Sequence, residues 1–236
     1  MTSEIKFLID RETGDRIRDW ARARLNPDPH GTGPFGDTYR ISTLYFETAD
    51  FDVFHRRGSF GRSKYRVRRY DGEPVVFLER KLRQASRLAK RRTTVPLADL
   101  ARLSRGTTLW PGTWFQRRLS LRALRPVCQI AYERVARIGT AGSGPIRLTL
   151  DDDVRALIRS DAAFGRTRGL PVLRDKMVLE VKYGGVPPAI FKQLVETFSL
   201  IPARASKYRL TVDALGLIRE DAVALPAISA GDATYA

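Results

Sequence analysis

Charged side chains recur at every second position in several short runs of this 236-residue chain. Glu4 and Lys6 keep that spacing, as do Lys64, Arg66 and Arg68, then Glu79 and Lys81, and Glu180 and Lys182; Arg147 and Asp151 flank Thr149 in the same rhythm. In a strand, residues two apart project from one face. The positions between them are apolar: Ile5 and Phe7, Tyr65 and Val67, Val76 and Leu78, Leu148 and Leu150, Leu179 and Val181. Each run therefore has an apolar face and a face of long charged side chains, often of both signs. Several such strands closed into a barrel, charges inward, make a basic tunnel with a few carboxylates. Such a tunnel suits a polyanion and a divalent cation.

The competing reading is an antiparallel sheet with one face on the core and one in water. Three features weigh against it. The polar faces are nearly all Arg, Lys and Glu, with few of the Thr and Ser residues of exposed sheet faces. The pattern recurs in separated runs. Like charges such as Arg66 and Arg68 repel unless something anionic lies between them.

The elements that must carry these residues can be read along the chain. Residues 4–9 read as a strand and 10–25 as an amphipathic helix, with Ile17, Trp20, Ala21 and Leu25 at helical spacing. A Pro/Gly loop over 26–36 leads to strands at 38–47, 63–70, 74–82 and 87–96, with Asp71-Gly72 as a hairpin signal. Residues 97–125 read as irregular helix with a turn at Trp110-Pro111-Gly112, followed by strands at 126–138 and 145–153 around a turn at 139–145. A looser stretch over 154–175 precedes a strand at 176–183, a helix from Pro188 to Leu200 and a final strand near 205–213. The chain divides into one domain over 1–215 and a C-terminal helix or loose tail over 216–236. Antiparallel-type strands with a few helices predict an α+β fold dominated by a sheet or barrel, its helices covering the apolar outer face.

Composition narrows the partner. A net charge of +16 and a pI near 10.6 call for an anionic one. Of the basic residues 34 are Arg and 8 are Lys, yet five of the eight Lys (Lys6, Lys64, Lys81, Lys182 and Lys207) fall on or beside the alternating runs. A lysine is a compact point charge and an arginine a planar fork, so this placement hints at site geometry selecting lysine. One cysteine, Cys128, in an apolar run, excludes an internal disulfide and reads as a structural thiol. His30 and His55 read as structural or surface residues. No signal-peptide pattern and no membrane-spanning stretch is present, which predicts a cytoplasmic protein.

Eight segments, taken in order, resemble the VTC domain, the catalytic part of the vacuolar transporter chaperone complex within the triphosphate tunnel metalloenzyme superfamily. They are Glu4-Ile5-Lys6-Phe7, Ser42-Thr43-Leu44-Tyr45-Phe46-Glu47-Thr48, Lys64-Tyr65-Arg66-Val67-Arg68-Arg69-Tyr70 and Phe77-Leu78-Glu79-Arg80-Lys81 in the first half. In the second half they are Tyr132-Glu133-Arg134, Ile146-Arg147-Leu148-Thr149-Leu150-Asp151, Leu179-Glu180-Val181-Lys182-Tyr183 and Ser206-Lys207-Tyr208. The resemblance covers residues 4–213. It implies an antiparallel β-barrel tunnel with a polar, basic interior and helices packed outside. It also implies a polyphosphate polymerase that moves the γ-phosphate of ATP onto a growing inorganic polyphosphate chain with Mn²⁺ (or Mg²⁺). Lys6, Arg66, Arg68, Lys81, Arg134, Arg147, Lys182 and Lys207 would be the catalytic, phosphate-binding cations. Ser206 would contact phosphate beside Lys207, and Glu180 would hold the metal. Arg56 or Arg57 matches a further tunnel arginine. The chain is similar to stand-alone bacterial members, without the phosphate-sensing domain and membrane segments of the fungal ones.

Phosphoryl transfer asks a protein mainly for positioning and for neutralising charge, so no catalytic histidine is needed. The same tunnel would serve a triphosphatase acting on ATP or inorganic triphosphate, or a non-catalytic polyphosphate-binding module. No nucleic-acid-binding motif is present, so no specific nucleic acid is expected. Bland readings stand beside several residues: Glu79 with Lys81 and Glu180 with Lys182 as cross-strand ion pairs, Asp151-Asp152-Asp153 as a solvated turn, and Arg91-Arg92 as an exposed basic patch or a guide for an emerging chain.

Overall fold

The computed structural model describes residues 2–84, 87–105, 109–165 and 168–218. Strand β1 (Thr2–Asp10) runs straight into helix α1 (Arg11–Arg22), which starts where the Asp10 carboxylate accepts the Thr13 N–H at 2.7 Å. The chain continues through β2 (Asn26–Pro27), β3 (Thr38–Glu47), the single turn α2 (Asp52–His55), β4 (Ser63–Tyr70), β5 (Val75–Gln84) and β6 (Arg87–Pro96). A 3-10 segment (Leu97–Ser104) and α3 (Thr113–Leu121) separate these from the long strands β7 (Arg125–Ala141) and β8 (Gly144–Ile158). Then come β9 (Leu170–Pro171), β10 (Lys176–Gly184), α4 (Ala189–Thr197) and α5 (Lys207–Ala214).

The main strands form one antiparallel sheet in the order β1-β10-β8-β7-β3-β4-β5-β6, with β2 added to β7 and β9 to β8. The sheet curls instead of closing. Among the described residues no ladder joins β1 to β6. The free edge of β1 is covered by the chain returning from α4, where Phe7 bridges Pro202 and the Ala203 N–H donates to the Lys6 carbonyl at 2.8 Å.

The alternation does the sorting. Outward residues make up most of two apolar clusters, which hold α1, α3 and α4 on the outside. Phe7, Leu148, Leu150 and Leu179 pack against Ile17 and Trp20 of α1 and Phe191 and Leu194 of α4. Leu44, Phe46, Tyr65 and Leu78 pack with Phe115 of α3 and Leu100 of the 3-10 segment. Each of these is buried, and removing such a side chain from water stabilises by about 1.5–3 kcal/mol. Cys128 lies fully buried with a free thiol that burial first, and Glu47 second, push up to about 12, so it is a packing residue as expected.

Several boundaries differ from expectation. Residues 205–213 are not a strand: Tyr208, Thr211 and Val212 are the buried positions, which is helical and not alternating spacing, and α5 results. The stretch after 153 is not loose, because β8 continues to Ile158 past a bulge at Asp153, whose φ is +45°. The turn over 139–145 shrinks to Gly142-Ser143, with Ala141 and Gly144 already paired. The tail lies outside the described residues from 219 on.

Candidate active site

Inside the curl lies a cavity of about 470 Å³ whose walls come from distant parts of the chain. β1 gives Glu4 and Lys6, and β10, in register beside it, gives Glu180 and Lys182. β4 gives Lys64, Arg66 and Arg68, and β5 gives Lys81. β7 contributes Tyr132 and Arg134, β3 contributes Tyr45, and Arg56 follows α2. The last wall is Ala205 through Tyr208, where α5 begins. A helix start adds positive potential from its unpaired N–H groups.

Four carboxylates set the internal charge balance. Glu4 and Glu180 share two lysines: Lys6 Nζ is 2.8 Å from Glu4 and 3.5 Å from Glu180, and Lys182 Nζ is 2.6 Å from Glu180 and 3.4 Å from Glu4. Asp151 takes a two-pronged grip from Arg134 at 2.6 and 2.8 Å and a further bond from Lys207. Glu79 accepts from Arg66 at 2.7 Å and, from the neighbouring strand, Lys90 and Arg92, each at 2.7 Å. Lys64 and Lys81 differ. They stand opposite one another across β4 and β5, and among the described residues neither has a carboxylate in salt-bridge range; Lys64 donates to Ser206 Oγ at 3.4 Å.

These partnerships fix the protonation states. Burial alone would raise Glu180, but the Lys182 and Lys6 ammoniums outweigh it and bring the carboxyl down to about 2. Burial likewise opposes ionisation of Asp151, yet Arg134 and Lys207 hold it well below the ordinary carboxylate range. Burial pulls Lys6 down, and Glu180 and Glu4 more than restore it. Lys64 is lowered by burial, Tyr45 opposing and Lys6 adding to the fall. Lys81 falls furthest, to about 7, through the charge of Arg66 first, then burial, then Lys182. A charge on β10 acting on a lysine of β5 is the electrostatic sign that the curl is tight.

The expected residues therefore converge, with one exception. Lys6, Arg66, Arg68, Lys81, Arg134, Lys182, Ser206, Lys207 and Glu180 all line the cavity. Arg147 does not, although it sits opposite Lys182 on the same face. Its guanidinium is held by Asp28 at 2.8 Å and by the Tyr39 hydroxyl at 2.7 Å. Of the two candidate arginines after β3, Arg56 reaches the cavity, while Arg57 is largely exposed beside Asp52. Glu79 pairs with Arg66, Lys90 and Arg92 and not with Lys81, whereas Glu180 and Lys182 do pair.

The three consecutive acids are no solvated turn. Asp151 is fully buried, Asp152 bonds Arg11 at 2.6 Å, and Asp153 bonds Arg155 at 2.6 Å and Arg40 at 3.3 Å. The bulge at Asp153 redirects the third carboxylate, which is why adjacent acids acquire separate partners. Arg92 is likewise a partner of Glu79, and Arg91 covers the Trp114 ring at 4.2 Å. Lys64 and Glu4 also line the cavity; the period of two contains both, although the family resemblance assigns neither a role. Tyr45 and Tyr132 gave no such signal, being aromatic in runs that read as core. Tyr45 stacks on Tyr208 at 5.0 Å, and Tyr132 lies beneath Lys207 at 5.0 Å and Arg134 at 5.3 Å.

No cluster of three or more His, Cys, Asp or Glu side chains able to enclose a metal occurs among the described residues. Glu4 and Glu180 do offer hard oxygen donors side by side on the cavity wall. That donor set fits a divalent cation that shares its coordination with substrate phosphates rather than one caged by protein alone. Among the described residues no helix is long and apolar enough to cross a membrane.

Comparison with known proteins agrees with this arrangement. The family model of the VTC domain matches residues 1–215. No curated protein sequence matches the chain. A candidate adenylate cyclase from Bacillus halodurans has a solved structure with a TM-score of 0.53 at 18% identity, covering 86% of this chain and 92% of its own. The PH1819 protein of Pyrococcus horikoshii gives 0.51 at 12% identity, covering 91% of this chain and 99% of its own. HpAC1 from Hippeastrum, a candidate adenylyl cyclase reported to have a dominant triphosphatase activity, gives 0.50 at 16% identity, covering 91% and 96%. At these identities the likeness is one of fold.

Proposed function

The chain belongs to the VTC domain family, and from that premise we propose that it is a metal-dependent polyphosphate polymerase using ATP. The observation that carries this is the charge balance of the cavity. Nine cationic side chains, counting Arg56, converge on one cavity, and four of them, Arg56, Lys64, Arg68 and Lys81, have no carboxylate in salt-bridge range among the described residues. A lining left with unrelieved like charge favours an anion in that space.

In this reading Glu180, with Glu4 beside it, would hold the divalent cation. The cation would supply charge neutralisation on the transferring phosphoryl group. Lys6 and Lys182, now bound to those same carboxylates, are then released to phosphate oxygens, so binding is an exchange of partners with little net cost in charge. Arg66, Arg68 and Lys81 would hold the nucleotide phosphates, and Arg134, Ser206 and Lys207 the acceptor end of the chain. Transfer forms a bond from a terminal acceptor oxygen to the γ-phosphorus and breaks the bond to the β–γ bridging oxygen, which leaves with ADP. Arg134 and Lys207 are fixed by Asp151 before substrate arrives, so their positioning is already in place.

A second reading is favoured by α5. Its Tyr208 and Val212 are buried with Cys128, Val154 and Val178, which line the inner face of the sheet, so a helix occupies part of the interior through which a long product would have to pass. A triphosphatase, releasing phosphate from ATP or inorganic triphosphate, has no such product. The reported triphosphatase activity of the Hippeastrum protein is in keeping with this alternative. Purified protein incubated with ATP and Mn²⁺ separates the two. Long polyphosphate on a gel, lost in Glu180→Gln and Lys207→Ala, supports polymerisation; phosphate release without polymer supports hydrolysis.

A further inference from the structure

On the outer face of the sheet lies a second cavity, of about 760 Å³, that the tunnel chemistry does not use. Its floor follows the strand register. Arg69 of β4 stands opposite Ser42 of β3, and Ser42 opposite Ala131 of β7. The period of two that turns Arg68 inward to the tunnel thus turns Arg69 outward to this space. Small side chains at Ser42 and Ala131 create the depression. Leu97 and Leu100 form one wall, and Phe164 belongs to the other. That second wall is pinned by Gln129, whose Oε1 accepts the Gly165 N–H at 2.7 Å and whose Nε2 donates to the Gly165 carbonyl at 3.3 Å.

Three guanidiniums border the cavity. Arg40 and Arg168 share the single carboxylate of Asp153, at 3.3 and 3.8 Å. Arg69 has no carboxylate partner among the described residues, and its Nε is shut off from solvent without a hydrogen-bond acceptor. A donor buried without an acceptor is costly, and an anion in the cavity would put a strong acceptor within reach of that guanidinium. Asp71, on the exposed hairpin at the rim, is available to accept from a hydroxyl or amino group.

The geometry points to a second ligand site that takes a small phosphorylated molecule with a flat ring, of the mononucleotide class. The phosphate would lie on Arg69 and Arg40, and the ring between Leu97, Leu100 and Phe164. Inorganic phosphate alone would use the arginines and leave the apolar walls wet, and the volume is of the size that encloses a nucleotide-sized ligand.

The probe is AMP, titrated calorimetrically into the full chain with tripolyphosphate at saturation, so that the tunnel is blocked. One AMP should bind per chain, at least tenfold more tightly than inorganic phosphate or adenosine. Arg69→Ala should weaken it at least tenfold, and Ala101→Trp, which fills the cavity from an exposed position, should abolish it. Both variants should keep wild-type tripolyphosphate affinity and melting temperature. Absence of AMP binding would overturn the assignment, as would AMP binding unchanged in Arg69→Ala and Ala101→Trp. Phosphate binding as tightly as AMP would overturn the nucleotide class. Tripolyphosphate affinity is measured separately in the same experiment, so a failure of the tunnel reading is distinguishable from a failure of this one.

Discussion

Lys64 and Lys81 face each other in register across β4 and β5, two ammonium-bearing residues on the inner surface of one curled sheet. Every other lysine lining the cavity has a carboxylate: Lys6 and Lys182 have Glu4 and Glu180, and Lys207 has Asp151. The pair marks a part of the cavity whose lysines have no carboxylate in salt-bridge range among the described residues.

Tripolyphosphate affinity should therefore depend on pH near neutrality. Lys81 sits at about 7 in the ligand-free protein, against an ordinary value of 10.5. A bound polyanion favours its charged form, so binding takes up a proton above pH 7 and needs none well below it. Affinity should be greatest below pH 7 and fall as pH rises toward 9. Calorimetry in two buffers of different ionisation enthalpy should show proton uptake at pH 8, absent in Lys81→Met.

Lys81→Met should separate binding from stability. Removing one of two facing ammoniums relieves repulsion, so the melting temperature of the ligand-free protein should rise or hold. Tripolyphosphate affinity should fall by about tenfold or more, as expected where a buried charge-assisted contact worth about 1.5–3 kcal/mol is lost. A melting temperature that drops by several degrees would contradict the unrelieved repulsion.

The opposite outcome is expected for Asp151→Asn. Asp151 is fully buried and serves both Arg134 and Lys207. Its loss strands two charges in a poorly hydrated place, which should destabilise by about 3–5 kcal/mol. Chemical denaturation should show this as a lower midpoint with little change in slope.

Acid should unfold the protein through the same groups. Asp151, Glu79 and Glu180 all have folded-state values below their ordinary 3.8 to 4.5, so their contribution is complete above about pH 5. It is lost as pH falls through 4 toward 2, where the unfolded chain binds protons that the folded chain refuses. Denaturation midpoints recorded from pH 7 to pH 3 should fall steeply below pH 4.5, and less steeply in Glu79→Gln, which starts lower.

Glu180→Gln should remove the response to divalent cation while sparing the fold. The substitution keeps the shape of a side chain that is almost entirely buried, and it leaves Lys182 and Lys6 with Glu4. Turnover with Mn²⁺ should drop at least a hundredfold, with unchanged circular dichroism; residual activity that still scales with Mn²⁺ would place the cation elsewhere.

Much of this site was legible because a strand repeats every two residues. That period alone selects Lys6, Arg66, Arg68, Lys81 and Lys182, and the long charged side chains then have nowhere to go but the concave face once Phe7, Val67, Leu78 and Val181 are committed to the outer core. What the period cannot convey is pairing at a distance. Arg147 carries the right parity and is nevertheless claimed by Asp28 and Tyr39, residues remote in sequence. Asp151 reads as one of three surface acids until the bulge at Asp153 separates them. The last helix was misread for a related reason. Ser206, Lys207 and Tyr208 are short of a full helical turn, and the spacing that reveals α5 rests on Thr211 and Val212 further on.

The placement of α5 bears on traffic. Ser206 and Lys207 line the cavity at the very point where the chain turns into that helix, and Tyr208 is tied to Glu47 behind it. Whatever is handled here has to arrive and depart on the side away from residues 207–214 as long as the helix stays seated. A lengthening product would then back out past the incoming nucleotide, and each addition would compete with the exit of the chain it extends.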